Sequence, residues 1–137
     1  MHVVIDTNVI FEGLTKQTSV AGLVIDAWFV GLLEVFVSDT LAYEYVDVLS
    51  RKLSIARWQR SEIVLTTLLE QAEFVTVHYS WRPSAPDPGD EHVIDCAMNA
   101  NAIVVTSNLR DFQLARKHLG VRVVSPTELL ALLAAQS

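Results

Sequence analysis

The chain has 137 residues, 51% of them apolar, and a formal net charge of −6. That length suits one domain over residues 1–137 with a core of its own, and the apolar content excludes a disordered chain. No apolar run approaches the ~20 residues that span a bilayer, and no basic region precedes an apolar stretch at the N-terminus. With Cys96 the single cysteine, an internal disulfide is excluded, and the expectation is a cytoplasmic protein with no membrane segment and Cys96 as a small buried residue.

In chain order, strands and helices alternate. Val3–Ile5 reads as a first strand. Residues Val9–Leu33 hold one or two helices, with Ala21, Val24, Ile25, Trp28 and Phe29 at helical spacing. Glu34–Ser38 reads as a second strand, and Ser38 or Asp39 caps a helix running to about Leu53. A helix over about Gln59–Ala72 and a short strand, Phe74–Val77, follow. Ser80–Gly89, rich in proline and glycine, is a loop. Then come a helix over about Asp90–Ala100, a strand Ala102–Ser107, a short helix after Asn108–Phe112, and a last strand Val121–Val124. The closing helix has Ser125 as cap, Pro126 at its first position and Glu128 completing a capping box. This order predicts an α/β fold: a three-layer α/β/α sandwich around a central parallel sheet of four to five strands. In such sheets, ligands bind beyond the carboxyl ends of the strands.

Four places along the chain bring acids or small polar groups to that side. Asp6 ends the first strand, followed by Thr7 and Asn8; it serves equally well as the cap of the next helix. Glu44 lies on the flank of the apolar stripe Leu41, Tyr45, Val48 and Leu49, where a carboxylate needs a partner. Asp90 opens a helix whose inward face holds Val93, Ile94, Ala97 and Met98, and it too is a candidate cap. Asp87, Glu91 and Asp95 are expected in solvent; Asp95 stands about 140° around the helix from Asp90. The strand Ala102–Ser107 ends in Thr106, Ser107 and Asn108, with Asp111 within one turn.

Bulk acidity argues against a nucleic-acid binder, but clustered acids around divalent cations weaken that objection, because each cation offsets two of them. Two basic groups, Arg51, Lys52, Arg57 and Arg60, and Arg110, Arg116, Lys117 and Arg122, read either as solvated helix faces or as phosphate contacts. His2, His78, His92 and His118 lack zinc-ligand spacing. Trp28 and Trp58 read as helix packing. Trp81, in the loop, is suited to stacking on a base or to closing the core.

The strand end VIDTNVI, the helix LAYEYVDVL, the segment DPGDEHVIDCAMNANAIVVTSNLRDF and the closing VVSPTELL resemble, in order and spacing, the PIN domain, and within it the VapC-like toxin components of toxin–antitoxin pairs. The likeness runs from Val3 to about Leu133. It implies an endoribonuclease that cleaves single-stranded RNA with Mg²⁺ or Mn²⁺. It carries the family's acidic positions onto Asp6, Glu44 and Asp90, and a fourth onto Asn108, where an aspartate is common. Asp6 and Asp90 are then the expected metal ligands, with Glu44 as ligand or water-orienting base. Asn108 and Thr106 would hold metal-bound waters, with Asp111 and Asn8 as further candidates. The implied partners are RNA, a small antitoxin protein and a second copy in a homodimer.

Two rival readings remain. Asn108 brings no charge, which permits a catalytically silent PIN-like module that binds RNA or protein. A strand-end aspartate also suits a phosphatase or receiver domain, but the former wants an acid at Asn8 and the latter a lysine near the last strand.

Overall fold

The computed structural model describes residues 1–82 and 84–136. Pro83, within the expected Ser80–Gly89 loop, and Ser137 lie outside them.

Val3, Val4 and Ile5 are fully buried. A strand apolar on both faces belongs inside a covered parallel sheet, and β1 (His2–Ile5) lies at its centre. The sheet has five strands in the order β3-β2-β1-β4-β5, with β2 at Glu34–Val37, β3 at Glu73–Phe74, β4 at Ile103–Val105 and β5 at Val123–Val124. Every pairing is parallel; Val3 sits opposite Val35 on one side and Ile103 on the other.

The helices are α1 (Thr7–Thr15), α2 (Val20–Phe29), α3 (Asp39–Lys52), α4 (Ile55–Glu70), α5 (Pro88–Ala100), α6 (Gln113–Leu119) and α7 (Pro126–Ala135), and a 3₁₀ turn at Leu109–Phe112 leads into α6. From β1 the chain steps outward through β2 to β3, then returns across the sheet to β4 and continues to β5. The two legs run in opposite senses, so right-handed crossovers put their helices on opposite faces. In keeping with this, α1 packs with α2, α3 and α4, while α5 packs on β1, β2 and β4. The expected α/β/α sandwich is the observed one.

Several boundaries differ from expectation. The third strand is Glu73–Phe74 rather than Phe74–Val77. It is a two-residue edge strand with exposed side chains, so no buried pattern marks it; its register, Phe36 opposite Glu73 and Val37 opposite Phe74, decides its extent. The fourth strand is Ile103–Val105, because Thr106 and its neighbours turn away to serve the site. The last strand starts at Val123 rather than Val121. Helix α4 begins at Ile55, four residues before the expected Gln59, because the Ser54 hydroxyl accepts from Arg57 N. The segment Val9–Leu33 resolves into α1 and α2, and Ser38, not Asp39, caps α3 through Leu41 N at 3.1 Å. The capping box at Ser125 and Glu128 is present as expected. Cys96 and Trp28 are buried, and Trp58 is partly buried against the core. Among the described residues, no helix is long and apolar enough to cross a membrane.

Candidate active site

Between β1 and β4 the strand order reverses direction, and at such a switch point the loops leaving two neighbouring strands diverge and open a crevice. Asp6 leaves β1 on one side of the crevice, and Thr106 leaves β4 on the other. Asp6 N donates to the Val105 carbonyl at 2.9 Å, which locks the two strand ends together.

Asp6 both caps a helix and faces the crevice. One oxygen, Oδ1, accepts from Thr7 N at 2.8 Å, and Oδ2 accepts from the Thr106 hydroxyl at 2.7 Å. Only 5% of Asp6 is exposed. Burial pushes its pKa up, the bonds from Thr106 and Thr7 counter part of the rise, and the charges of Asp111 and Asp87 add to it. The Thr106 oxygen in turn accepts from Asn108 N at 3.0 Å, and Asn108 Nδ2 donates to Asp111 Oδ2 at 2.6 Å. Asn108 and Asp111, three residues apart, therefore act as one polar unit. Asn8 Oδ1 accepts from Ser107 N at 3.5 Å, a weak contact between the segments that leave β1 and β4.

Glu44 is delivered by α3. Next to it, the fully buried Tyr45 donates its hydroxyl to the Ile5 carbonyl, one residue before Asp6. That bond fixes the rotation of α3 against β1. Glu44 Oε2 is buried without a hydrogen-bond partner among the described residues. Its pKa is raised by burial and then by Asp6; the nearby Thr7 hydroxyl, without a partner in bonding geometry among the described residues, offsets part of the rise. The other oxygen of Glu44 reaches the first turn of α5: a Cβ on Gly89 would lie 3.4 Å from Oε1.

At α5, Asp87 rather than Asp90 is the cap; its Oδ1 accepts from Gly89 N at 2.9 Å, and Pro88 fills the first helical position. Asp90 is thereby released from capping and faces the crevice. Burial, followed by Asp6, Asp87, Asp111 and Glu44, pushes its pKa up to about 7.

The cleft so formed, about 340 Å³, is lined by Asp6, Glu44, Asp87, Asp90, Asn108 and Asp111 together with Thr7, Asn8, Phe11, Val48 and Lys52. Every primary candidate from the sequence lines it. Thr106 reaches it only through Asp6 and Asn108. A larger groove of about 630 Å³, where α1 and α2 face α4, includes Asp26, Arg57 and Arg60 but no pair of acids, so volume does not mark the chemistry.

Asp87 is exposed, as expected, and in addition caps α5 and lines the cleft. One expectation is corrected. Glu91 and Asp95 are not solvated; both are buried. Arg82 accounts for them, donating to both oxygens of Asp95 at 3.0 and 2.7 Å and lying 3.5 Å from Glu91, whose Oε2 accepts from Ser84 N at 2.8 Å. Arg82 was not legible as their partner, because it lies in an irregular segment. Lys52 was grouped only with other bases, yet it lines the cleft, its ammonium 5.3 Å from the Phe11 ring centre. Its signal was present: Glu44, Val48 and Lys52 recur every four residues along one helical face.

Several carboxylates repel one another here with little positive charge between them, and among the described residues no donor meets the buried Glu44 oxygen in bonding geometry. Such hard oxygen donors suit a divalent cation. Among the described residues no three His, Cys, Asp or Glu side chains close around a single point.

The solved structures most like this fold include a chain of VapBC2 from Rickettsia felis, bound to a DNA fragment from its promoter, with TM-score 0.65, 13% identity, and coverage of 91% of this chain and 98% of that one. A chain of VapBC-1 from nontypeable Haemophilus influenzae gives TM-score 0.62 and 15% identity over 93% of this chain and 99% of that one. A chain of FitAB bound to an IR36 DNA fragment gives 0.61 and 17% over 90% and 94%. No curated protein gives a significant match. The model of the PIN domain matches residues 2–110, a span that takes in Asp6, Glu44, Asp90 and Asn108, and the chain belongs to the PIN domain family.

Proposed function

We propose that the protein is a Mg²⁺- or Mn²⁺-dependent endoribonuclease that cleaves single-stranded RNA, acting as the toxin of a toxin–antitoxin pair. The observation that carries this reading is the convergence of Asp6, Glu44 and Asp90, from three distant segments, on one cleft. Asp6 and Asp90 would hold the cation, with Glu44 beside them; once bound, the ion supplies an activated water and neutralises charge on the scissile phosphate.

The chain's own residues do the rest. Thr7 and Thr106 fix both oxygens of Asp6, so its orientation is set before any ligand arrives. Glu44, with a raised pKa and a free buried oxygen, is suited to accept a proton from the attacking water. Lys52 brings the cleft a cation for a backbone phosphate. Asn108 and Asp111 offer an amide and a carboxylate on the β4 side, where bound waters would be held.

A small antitoxin protein is the proposed partner, in line with the VapBC and FitAB complexes to which the neighbouring structures belong. Exposed Leu23, Phe29, Val30 and Leu32, on and just after α2, offer apolar surface for that partner or for a homodimer. We place the protein in the cytoplasm, where a buried free cysteine such as Cys96 stays reduced.

Degradation of a defined single-stranded RNA tests the reading. Activity should require added Mg²⁺ or Mn²⁺, vanish with EDTA, and vanish in Asp6→Asn and Asp90→Asn proteins that retain the fold. Cleavage unaffected by either substitution would remove the proposal. A catalytically silent module is the second reading, favoured by the neutral Asn108 amide already engaged with Asp111; calorimetry showing no Mn²⁺ binding beside retained RNA or protein association would establish it.

A further inference from the structure

Helix α5 grips the segment before it along one stripe. Asn99 Oδ1 accepts from His78 N and Tyr79 N at 2.9 and 3.2 Å, and its Nδ2 donates to the Tyr79 carbonyl at 2.9 Å. One turn back Asp95 holds Arg82, and a further turn back Glu91 holds Ser84. Residues four apart on a helix share a face, so Glu91, Asp95 and Asn99 form a row of anchors. A segment with almost no regular structure is thus tied down residue by residue.

This fixed segment displays two aromatic rings outward. Tyr79 is 67% exposed and Trp81 39%, with ring centres 6.2 Å apart and planes tilted by 37°. Large exposed aromatics cost free energy in water, and anchoring their backbone lowers the entropy lost when a flat ligand settles on them. Trp81 also lines a pocket of about 270 Å³ with Arg82, Ser84, Leu114, Ala115, His118 and Leu119.

The pocket adjoins the acidic cleft. Leu114 lines the pocket and Asp111 lines the cleft; three positions apart on a nearly continuous helical path, their side chains are about 5–6 Å from one another at the Cβ. On the other side, the six residues from Trp81 to Asp87 span at most about 20 Å. Two basic side chains line the pocket itself: His118, and Arg82, whose guanidinium is held by Asp95. An apolar slot with an aromatic wall, lined also by His118 and the Arg82 guanidinium and adjoining the carboxylate cleft, matches the chemistry of a single-stranded nucleic acid whose base stacks on a ring.

We infer that Tyr79 and Trp81 form a stacking platform for an unpaired nucleobase of RNA whose backbone enters the neighbouring carboxylate cleft. This rests on the ribonuclease reading for its ligand, but not on catalysis.

The test is fluorescence anisotropy with a labelled single-stranded RNA oligonucleotide and the full chain, in EDTA and at fixed salt. Loss of one stacked base corresponds to about five- to hundredfold in affinity, so Trp81→Ala should weaken binding within that range, and Trp81→Phe should stay within about threefold. With a single abasic nucleotide moved along the strand, one position should make Trp81→Ala no worse than wild type. Equal melting temperatures among the variants exclude unfolding. Wild-type affinity in Trp81→Ala, or equal losses in Trp81→Ala and Trp81→Phe, overturns the platform and leaves that face to a protein partner. If wild type binds through Trp81 but cleaves nothing when Mn²⁺ is added, the platform stands and the nuclease reading falls. If wild type cleaves RNA and Trp81→Ala binds equally well, the reverse holds; if wild type binds no RNA in EDTA, the platform falls, and cleavage with Mn²⁺ decides the nuclease reading separately.

Discussion

The Tyr45 hydroxyl donates to the main-chain carbonyl of Ile5, so a helix side chain reaches the strand one residue short of Asp6. Both groups are buried. Tyr45→Phe keeps the packing and leaves the Ile5 carbonyl without a donor, which costs about 1–3 kcal/mol. The denaturant midpoint should fall accordingly, with the slope unchanged. RNA cleavage should fall as well, because Glu44 loses the tie that sets its helix against Asp6.

The pH dependence of stability should be inverted relative to an ordinary salt-bridged acid. In the fold Asp90 titrates at about 7, against an ordinary 3.8. Between these values the native state holds a proton that the unfolded chain has shed, so stability is greatest below the lower value and is lost as pH rises through the upper one. Asp6 and Glu44 are raised as well and act in the same direction. Metal-free protein should therefore resist urea better at about pH 5.5 than at about pH 8. Asp90→Asn should flatten the difference, and saturating Mn²⁺ should reduce it by stabilising the charged form. A metal-free protein more stable at the higher pH would count against the clustered carboxylates.

Asn108→Asp should strengthen cation binding. The amide of Asn108 now donates to Asp111 at 2.6 Å. A carboxylate there loses that bond and sets two like charges together, lowering the melting temperature without metal. Calorimetry should show Mn²⁺ binding tightened by about tenfold, equivalent to ~1.4 kcal/mol. Unchanged affinity would mean that position 108 lies outside the reach of the ion and its waters.

Gly13→Ala tests the packing of α1 on α2. A Cβ at Gly13 would lie 2.4 Å from Ile25 Cγ1 and 2.8 Å from the Ala21 carbonyl oxygen. The two helices must separate to admit it, at about 1–3 kcal/mol. The urea midpoint should fall, while Mn²⁺ affinity stays constant because the cleft lies at the opposite end of α1.

The sequence was most legible where residue type and period agree. Val3–Ile5 and Glu34–Val37 carry continuous or alternating apolar side chains between helices, and the Ser125–Glu128 box announces its helix. Asp6, Glu44 and Asp90 could be singled out because each is an acid at the edge of apolar surroundings, and the family resemblance put them in register. Glu73–Phe74 was misplaced because an exposed edge strand has no burial pattern to betray it. Glu91 and Asp95 were misjudged for another reason: the partner that permits their burial, Arg82, comes from a loop with no periodicity. The division of labour between Asp87 and Asp90 was likewise hidden, since both are good caps and only the observed bond to Gly89 N separates them.

The hydroxyl of Thr106 meets Asp6 across 100 positions of chain. During synthesis, the earliest strand must wait for nearly the last one before the carboxylates have anywhere to gather. A chain that stops before Thr106 lacks the hydroxyl that holds Asp6 Oδ2, so the carboxylate is set in place only once segments a hundred residues apart have met.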